Sequence, residues 1–151
     1  MPQIGTPAPD FALKSVSGSD ISLSSFKGQK VILYFYPKDE TPGCTKEACD
    51  FRDRYEEIKK YAVILGVSAD DNNSHQKFAE HHKLPFDLLS DSSKEMMKTY
   101  GVWTEKSMFG KKYMGIQRAT FLIDEDGKIA KIWPKVNVLN HINEIVKEIS
   151  K

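Results

Sequence analysis

The chain has 151 residues, of which 40% are hydrophobic and 28% are charged. This length and apolar content fit one globular domain with its own core, so we expect a single domain spanning residues 1–151. Because 22 lysines and arginines are balanced by 21 aspartates and glutamates, the formal net charge is +1 and no overall field favours nucleic acid or an anionic membrane.

The N-terminus has no basic segment followed by an apolar stretch, and no apolar run approaches the roughly 20 residues of a membrane span. We therefore expect a cytoplasmic protein with no membrane partner. In a compartment that keeps thiols reduced, two cysteines are more often redox-active or catalytic than structural. The two cysteines are thus the first candidates for chemistry.

The first part of the chain predicts a β-hairpin and then a buried strand. Residues 11–13 and 21–23 alternate like two short strands around a Ser-Gly-Ser-Asp turn. Residues 31–36, Val-Ile-Leu-Tyr-Phe-Tyr, form the continuous apolar run that is typical of a strand buried on both faces. Pro37 ends this strand, and the Pro and Gly content of residues 38–43 indicates a loop.

The helix predicted after this loop carries both cysteines. Apolar residues recur there with spacings of four and three, which trace one face of a helix: Cys44, Ala48, Phe51, Tyr55 and Ile58. Cys44 falls in the first turn, where free backbone N–H groups and the positive end of the helix dipole stabilise an anion. Since the thiolate is the reactive form of cysteine, we expect Cys44 to be at least partly ionised near neutral pH.

Cys49 lies five positions after Cys44 in the same predicted helix. On an intact helix its Cα atom is about 7.5 Å further along the axis and about 140° round, so the two side chains point apart. A disulfide needs Cα atoms within about 7 Å and converging Cβ atoms. Pairing the two cysteines would therefore require the first turns to unwind, which suggests a switch between a folded dithiol and a locally unfolded disulfide.

The middle of the chain alternates strands and helices. Residues 62–68 predict a second buried strand, and a strand, a helix and a strand in succession indicate a parallel unit. A further helix is predicted from Ser74 to a point before Pro85, and residues 86–90 predict a short strand.

The next helix is short, with Ser92 or Ser93 as its candidate N-terminal cap. Gly101 suits its left-handed C-terminal cap. Residues 102–115, which are rich in Lys, Gly and aromatic side chains, predict a loop.

The chain ends with a predicted hairpin and an amphipathic helix. The apolar runs 120–123 and 128–133 flank an Asp-Gly turn, so the sheet should be mixed. The helix is predicted over 138–149, and its inward residues are Leu139, Ile142, Ile145, Val146 and Ile149.

The segment around Cys44 resembles the active-site signature of the peroxiredoxins. The motif is Pro37-x-x-x-Thr41-x-x-Cys44, and the wider stretch 36–53 is similar to the bacterioferritin comigratory protein, or PrxQ, subgroup. The similarity covers nearly the whole chain. It implies an α/β, thioredoxin-like fold, with a mixed central sheet flanked by helices and an N-terminal β-hairpin.

The resemblance also implies an activity, that of a thiol peroxidase acting on hydrogen peroxide and organic hydroperoxides. In this scheme Cys44 attacks the peroxide and becomes a sulfenic acid, and Cys49 resolves it as an intramolecular disulfide. Thioredoxin or a similar dithiol would recycle the enzyme, and no cofactor is expected. Because both cysteines lie in one chain, we expect a monomer to suffice.

Three further residues receive roles from the resemblance. Thr41 by itself would be a helix cap or turn residue; within the motif its hydroxyl would accept a hydrogen bond from the peroxide while donating to the thiolate or nearby backbone. Pro37 would shield the thiolate from water as well as end the strand. Arg118, which precedes the strand 120–123, would stabilise the thiolate and polarise the peroxide as a cation that cannot lose its charge.

Other ionisable residues are assigned no role in the reaction. Glu47 is interpreted as a solvated or capping acid, with a pairing to Arg118 as the weaker alternative. The four histidines form no metal-spaced cluster with the cysteines, so no metal is predicted and each is expected on the surface or in packing: His75, His81, His82 and His141.

Two alternative functions stand beside the peroxidase. A thioredoxin-like disulfide oxidoreductase is disfavoured, because its cysteines are usually separated by two residues and these are separated by four. A peroxide-sensing redox switch or holdase, in which oxidation melts the helix of Cys44, would react without rapid turnover.

Overall fold

The computed structural model describes residues 1–151 as nine strands, five α-helices and a 3-10 turn at Leu23–Phe26. The strands are β1 (Ala12–Ser15), β2 (Asp20–Ser22), β3 (Lys30–Phe35), β4 (Ala62–Ser68), β5 (Asp87–Ser90), β6 (Trp103–Met108), β7 (Lys111–Ile116), β8 (Ala119–Ile123) and β9 (Ile129–Trp133). The helices are α1 (Pro42–Asp53), α2 (Tyr55–Ile58), α3 (Asn72–His82), α4 (Glu95–Thr99) and α5 (His141–Ile149). None of them is long and apolar enough to cross a membrane.

Seven strands form one mixed sheet in the order β2-β1-β5-β4-β3-β8-β9. The pairs β3/β4 and β4/β5 are parallel, whereas β1/β2, β1/β5, β3/β8 and β8/β9 are antiparallel. The mixed sheet and both predicted hairpins are therefore confirmed. The pair β6/β7 forms a separate two-stranded antiparallel ribbon.

Strand β3 separates two layers of core. Because side chains alternate across a strand, Val31, Leu33 and Phe35 enter one apolar cluster, together with residues of α4. The intervening positions Ile32 and Tyr34 enter the other cluster, which is formed with α1, α2, α3 and α5. This burial on both faces explains the continuous apolar run in the sequence, and each fully buried side chain contributes about 1.5–3 kcal/mol.

The predicted helix from Cys44 to Ile58 is interrupted. Arg54 has φ −105° and ψ 9°, so α1 ends at Asp53 and a separate turn, α2, follows. Cys44 and Ile58 are buried as the spacing predicts, although Tyr55 is only half-buried. Helix α2 nevertheless buries Ile58 fully.

The loop predicted over residues 102–115 is wrong, because these residues form the ribbon of β6 and β7. Phe109 and Gly110 lie at its tip with φ angles of 52° and 77°, as a two-residue hairpin turn requires. Most side chains of the ribbon are exposed, and Phe109 is 98% exposed. The ribbon packs against the rest of the protein only near Trp103 and Ile116. Because most of its other side chains face solvent, its sequence lacks the alternation of apolar and polar residues that indicates a strand.

The starts of α3, α4 and α5 also differ from prediction. Helix α3 begins before Ser74, because the Asp71 carboxylate caps it by accepting from the Ser74 N–H at 2.8 Å. Neither Ser92 nor Ser93 is the cap residue of α4; that place is taken by Lys94, which has φ 66°.

Helix α5 is shorter than predicted, since it begins at His141. Leu139 therefore lies outside the helix and is 77% exposed, so its predicted inward orientation is wrong. Ile145 and Ile149 are buried as predicted. The predicted C-terminal cap of α4 is confirmed by Gly101, which has φ 75°.

Candidate active site

Cys44 lies in the first turn of α1, as predicted. Thr41 is the N-cap residue in extended conformation, Pro42 is the first helical residue, and the Thr45 N–H donates to the Thr41 carbonyl at 2.8 Å. Proline suits this position because the first N–H of a helix has no partner within the helix. The sequence Thr-Pro-Gly-Cys thus starts the helix so that its positive end is close to the sulfur.

Arg118 contacts the Cys44 sulfur. It immediately precedes β8, and β8 pairs with β3 so that Ala119 lies opposite Phe35, at the end of β3 from which the chain leads to α1. The guanidinium Nη2 donates to Cys44 Sγ at 3.2 Å. A charge-assisted donor at this distance favours a negative sulfur.

Glu47 contacts the same guanidinium from the other side. Its Oε1 accepts from Arg118 Nη1 at 2.7 Å, and its side chain is 2% exposed. Burial raises the pKa of Glu47 to about 7, although Arg118 acts in the opposite direction. The expectation of a solvated acid is therefore wrong, and the pairing with Arg118 is the arrangement found. Its position three residues after Cys44 on one helix face was the available signal.

Gly43 lets the guanidinium approach the helix. A Cβ atom at this position would lie 3.2 Å from Arg118 Nη2, which is tighter than ordinary contact. Any larger residue at Gly43 would therefore press on the donor to the sulfur.

Thr41 and Pro37 lie in the loop before α1, and both are half-buried. The Thr41 hydroxyl makes no capping bond; it donates to the Lys38 carbonyl at 2.8 Å. Because this carbonyl can only accept, the hydroxyl proton is committed and the oxygen lone pairs stay available to a donor. The structure thus brings Arg118 into contact with both Cys44 and Glu47 of α1, whereas no hydrogen bond joins Thr41 or Pro37 to the sulfur.

A buried polar network anchors this loop and was not predicted. Asp39 is 5% exposed; its carboxylate accepts from the Tyr36 hydroxyl and lies 2.7 Å from His75 Nδ1. Its own N–H donates to Asp70 Oδ2 at 2.8 Å. The other ring nitrogen of His75 faces the Leu89 carbonyl at 3.0 Å, so both nitrogens of the ring point at acceptors. The network fixes the middle of the loop to the sheet and to α3.

Lys106 is a second cation near the site, which the sequence did not indicate because the ribbon was interpreted as a loop. Its stem is close to Gly115 on the neighbouring strand, where an added Cβ would lie 3.2 Å from its Cδ. Burial lowers the pKa of Lys106, Arg118 lowers it further, and Cys44 acts in the opposite direction. Lys106 of the ribbon is thus electrostatically coupled to both Arg118 and Cys44.

Cys49 has different surroundings on the same helix. It is half-exposed and unpaired, and α1 is intact between the two free cysteines. Burial raises the pKa of Cys49, with Arg52 acting to lower it and Asp53, Asp50 and Glu40 acting to raise it. This is the folded dithiol arrangement, in which the two side chains are directed apart.

Cys44 has little contact with solvent. Cys44 is 1% exposed, whereas the side chain of Arg118 is 16% exposed. Arg118 also lines a shallow surface groove formed with residues 135–138. The groove is adjacent to the backbone of Arg118, whose carbonyl accepts from the Val136 N–H at 3.0 Å.

Comparison with known proteins gives a consistent family. Residues 4–132 match the AhpC/TSA family. The putative peroxiredoxin bcp of Coxiella burnetii is 52% identical over 145 residues, with 95% of this chain and 96% of that protein covered. The peroxiredoxin Bcp of Bacillus subtilis is 50% identical over 148 residues, with 97% and 94% covered.

Solved structures agree with these relatives. The bacterioferritin comigratory protein of Xanthomonas campestris superposes with a TM-score of 0.91 at 35% identity, covering 98% of each chain. A cysteine-to-serine mutant of Xylella fastidiosa PrxQ gives a TM-score of 0.93 at 32% identity, covering 99% of this chain and 96% of that one. The predicted thioredoxin-like fold is thereby confirmed.

The fold carries a cysteine at the start of a helix, beside an arginine guanidinium. Together with the relatives, this arrangement defines a thiol-dependent peroxidase of the peroxiredoxin class. The chain belongs to the AhpC/TSA family. Within it, the chain is of the bacterioferritin comigratory protein, or BCP/PrxQ, type.

Proposed function

We propose that Cys44 is the residue that reduces the peroxide. Its thiolate attacks one peroxide oxygen, so that an S–O bond forms as the O–O bond breaks. The sulfur is oxidised to a sulfenic acid, and the second oxygen leaves as hydroxide or alkoxide, which takes a proton from solvent to become water or an alcohol. The observation that carries this proposal is the contact of 3.2 Å between Arg118 Nη2 and Cys44 Sγ, in the first turn of a helix.

The surrounding residues supply electrostatic stabilisation. Charge moves from the sulfur to the departing oxygen during the reaction, and Arg118 is placed to stabilise both, while Glu47 orients the guanidinium. The Thr41 hydroxyl, already donating to the Lys38 carbonyl, would accept a hydrogen bond from the peroxide O–H. Pro37 would limit the access of water to the sulfur.

The burial of Cys44 requires motion before attack. With 1% exposure, the sulfur meets a peroxide only when the loop before α1 or the Arg118 side chain moves aside. The groove at residues 135–138, which Arg118 lines, is the proposed direction of entry. A small substrate such as hydrogen peroxide needs the least opening.

Cys49 completes the cycle in this proposal. Its thiol attacks the sulfenic sulfur of Cys44, an S–S bond forms, and water leaves. The first turns of α1 must unwind for the sulfurs to meet. Thioredoxin or a similar dithiol then reduces the disulfide by thiol–disulfide exchange. The whole reaction would take place in one cytoplasmic chain acting as a monomer, on a single domain of residues 1–151.

The substrate range is proposed to include organic hydroperoxides. Alkyl peroxide reduction activity is described for the Xanthomonas campestris protein, which is 35% identical and covers 98% of this chain. In this proposal both kinds of peroxide reach Cys44 by the same route. Because the sulfur is buried, larger peroxides would need more motion of the loop.

Peroxide consumption with thioredoxin, thioredoxin reductase and NADPH tests the proposal. Cys44→Ser should abolish turnover, since no other residue supplies the nucleophile. Cys49→Ser should still consume one equivalent of peroxide but stop turning over with thioredoxin. Full turnover by Cys44→Ser would refute the assignment, and thioredoxin-supported turnover by Cys49→Ser would refute the resolving role.

One observation favours a second candidate, a peroxide-sensing switch. The 1% exposure of Cys44 would suit slow oxidation, and unwinding of α1 would expose its apolar face to partners. The rate of the first oxidation separates the two functions. A slow reaction without turnover would support the sensor, whereas rapid, repeated turnover supports the peroxidase.

A further inference from the structure

A cluster of metal-binding side chains lies beside the loop that leads to α1. His81 Nδ1 is 2.9 Å from Glu40 Oε2, and His82 Nε2 is 2.8 Å from Glu40 Oε1. The three donor groups lie within 4.8 Å of one another. We propose that Glu40, His81 and His82 bind Zn²⁺, and that the bound ion holds the active-site loop in its folded, reduced arrangement.

Neighbouring residues on a helix do not normally share a ligand, since they point about 100° apart. Here His81 presents its near nitrogen, Nδ1, and His82 presents its far nitrogen, Nε2, so the two reach the same carboxylate. Their ring centroids are 4.2 Å apart. The pair ends α3, and Lys83 follows in left-handed conformation with φ 52°, so no further turn of helix covers it.

The donor set suits this metal. Zn²⁺ binds imidazole nitrogen and carboxylate oxygen at about 2.0–2.2 Å, which places neighbouring ligand atoms of a tetrahedron about 3.3 Å apart. The distances of 2.8 and 2.9 Å already bring each ring nitrogen this close to a carboxylate oxygen, and all three donor groups lie within 4.8 Å of one another, so side-chain rotation would need to close only the remaining separation. The ion would replace the ring protons now shared with Glu40, and water would take the fourth position.

One ligand is held and two are accessible. The side chain of His82 is 17% exposed, and its ring packs edge-on against Phe78 with centroids 5.2 Å apart. Arg52 of α1 donates to the His82 carbonyl at 2.8 Å. Glu40 and His81 are 45% and 66% exposed, so an ion can enter from solvent. Partial preorganisation with an open side is what a reversible metal site requires.

The predicted absence of metal rested on the spacing of histidines from cysteines. That search omitted the carboxylate, since Glu40 lies 41 residues before His81 and only the fold brings them together. The four histidines also divide in a way the sequence did not show: His75 and His141 are buried, whereas His81 is exposed.

The location connects the ion to the reaction, and this step rests on the proposed function. Glu40 directly precedes Thr41, the N-cap residue of α1, so a metal shared with His81 would tie the start of α1 to the end of α3. Disulfide formation requires the first turns of α1 to unwind. An ion that binds only the folded arrangement stabilises that arrangement and opposes the disulfide.

A zinc titration against a chromophoric chelator tests the site. It is performed on the reduced wild type and on a thiol-free Cys44→Ser/Cys49→Ser chain, in which no thiolate can bind the metal. We expect one ion per chain in both. Adding His81→Ala or Glu40→Gln should weaken binding by more than about 10-fold, because even loss of a group that orients a ligand has such an effect.

Glu80→Gln is the matched control, since it removes the same charge from an exposed position next to His81. It should leave zinc affinity unchanged. Binding that persists undiminished in His81→Ala, or that disappears in the thiol-free chain, would overturn the site.

The linkage is tested by following disulfide formation after one equivalent of hydrogen peroxide, with thiols trapped by alkylation and counted by mass spectrometry. Saturating Zn²⁺ should slow the wild type by about 5-fold or more, within the usual range of coupling between sites, and should not slow His81→Ala. Equal slowing in both proteins would place the metal on the thiols and refute the linkage. If no disulfide forms in either protein without metal, the proposed function fails, while the titration still decides the zinc site.

Discussion

The two cysteines of α1 lie on one short helix in opposite environments. Cys44 is buried, with a guanidinium donating to its sulfur at 3.2 Å, whereas Cys49 is half-exposed among charges of both signs. The first environment is preorganised for a reaction that develops negative charge. The second is a half-exposed thiol on the same intact helix. In the proposed cycle, attack by Cys44 would depend on fixed geometry and resolution by Cys49 on its loss, within 12 residues of helix.

Removal of the cation beside Cys44 should abolish most of the difference between the two cysteines. Arg118→Ala should slow the first oxidation of Cys44 by about 10²–10³-fold, the usual effect of losing one donor to a developing charge. Stopped-flow measurement of the second-order rate constant with hydrogen peroxide checks this. Arg54→Ala is the control, since Arg54 pairs with Glu57 on the surface. An unchanged rate in Arg118→Ala would remove the basis of the proposed mechanism.

The second prediction concerns Glu47, whose burial raises its pKa from 4.5 to about 7. Between these values the folded protein keeps a proton that the unfolded chain has released, so stability falls as pH rises toward 7 and then levels off. The loss amounts to about 3.5 kcal/mol at most, since one pKa unit is about 1.4 kcal/mol.

Urea denaturation of the wild type and of Glu47→Gln measures this contribution, because the variant has no carboxyl to titrate. The difference in unfolding free energy between the two proteins should change in favour of the variant from about pH 5 to about pH 8. A difference that stays constant with pH would show that Glu47 titrates in its ordinary range.

Thr41→Val tests the loop before the helix. The variant keeps the shape of the side chain but removes the hydroxyl that donates to the Lys38 carbonyl at 2.8 Å. We expect stability to fall by about 1 kcal/mol, as for one neutral hydrogen bond. The oxidation rate of Cys44 should fall about 10-fold, because the variant has no oxygen to accept a hydrogen bond from the peroxide O–H and so to orient it. A fall in stability with no change in rate would restrict Thr41 to a structural role.

The smallest expected effect comes from Gly43→Ala. Alanine favours a helix by up to about 1 kcal/mol over glycine, so stability should stay level or rise. The added Cβ would lie 3.2 Å from Arg118 Nη2 and displace it. We expect the oxidation rate to fall several-fold, measured as for Arg118→Ala. Should the rate stay at the wild-type value, the guanidinium has room to shift without loss.

The sequence predicts an element correctly where its apolar residues follow one simple pattern, a continuous run or a helical spacing. The apolar run of β3 and the four-and-three spacing of α1 are local patterns, and both elements lie where these patterns place them. The β6/β7 ribbon was missed because its strands cover little of the core. The interruption at Arg54 was missed because the apolar spacing continues across it.

The site divides along a similar line. The position of Cys44 at a helix start could be predicted from neighbouring residues, but the pairing of Glu47 with Arg118 spans 71 residues and depends on the strand order of the sheet. The Asp39 network likewise joins a loop to α3 across 36 residues. Buried charges and polar side chains are paired by the fold, and no single-sequence pattern indicates which partners meet.

The break at Arg54 bears on the unwinding of α1 in the proposed cycle. Helix α2 is covalently continuous with α1 but is anchored separately, by an Ile58 side chain that is fully buried. Fraying that starts at Cys44 therefore meets a boundary before it reaches this anchor, and the sheet behind it keeps its packing. The oxidised protein should have one unwound segment within an otherwise unchanged fold. This segment should refold once the disulfide is reduced.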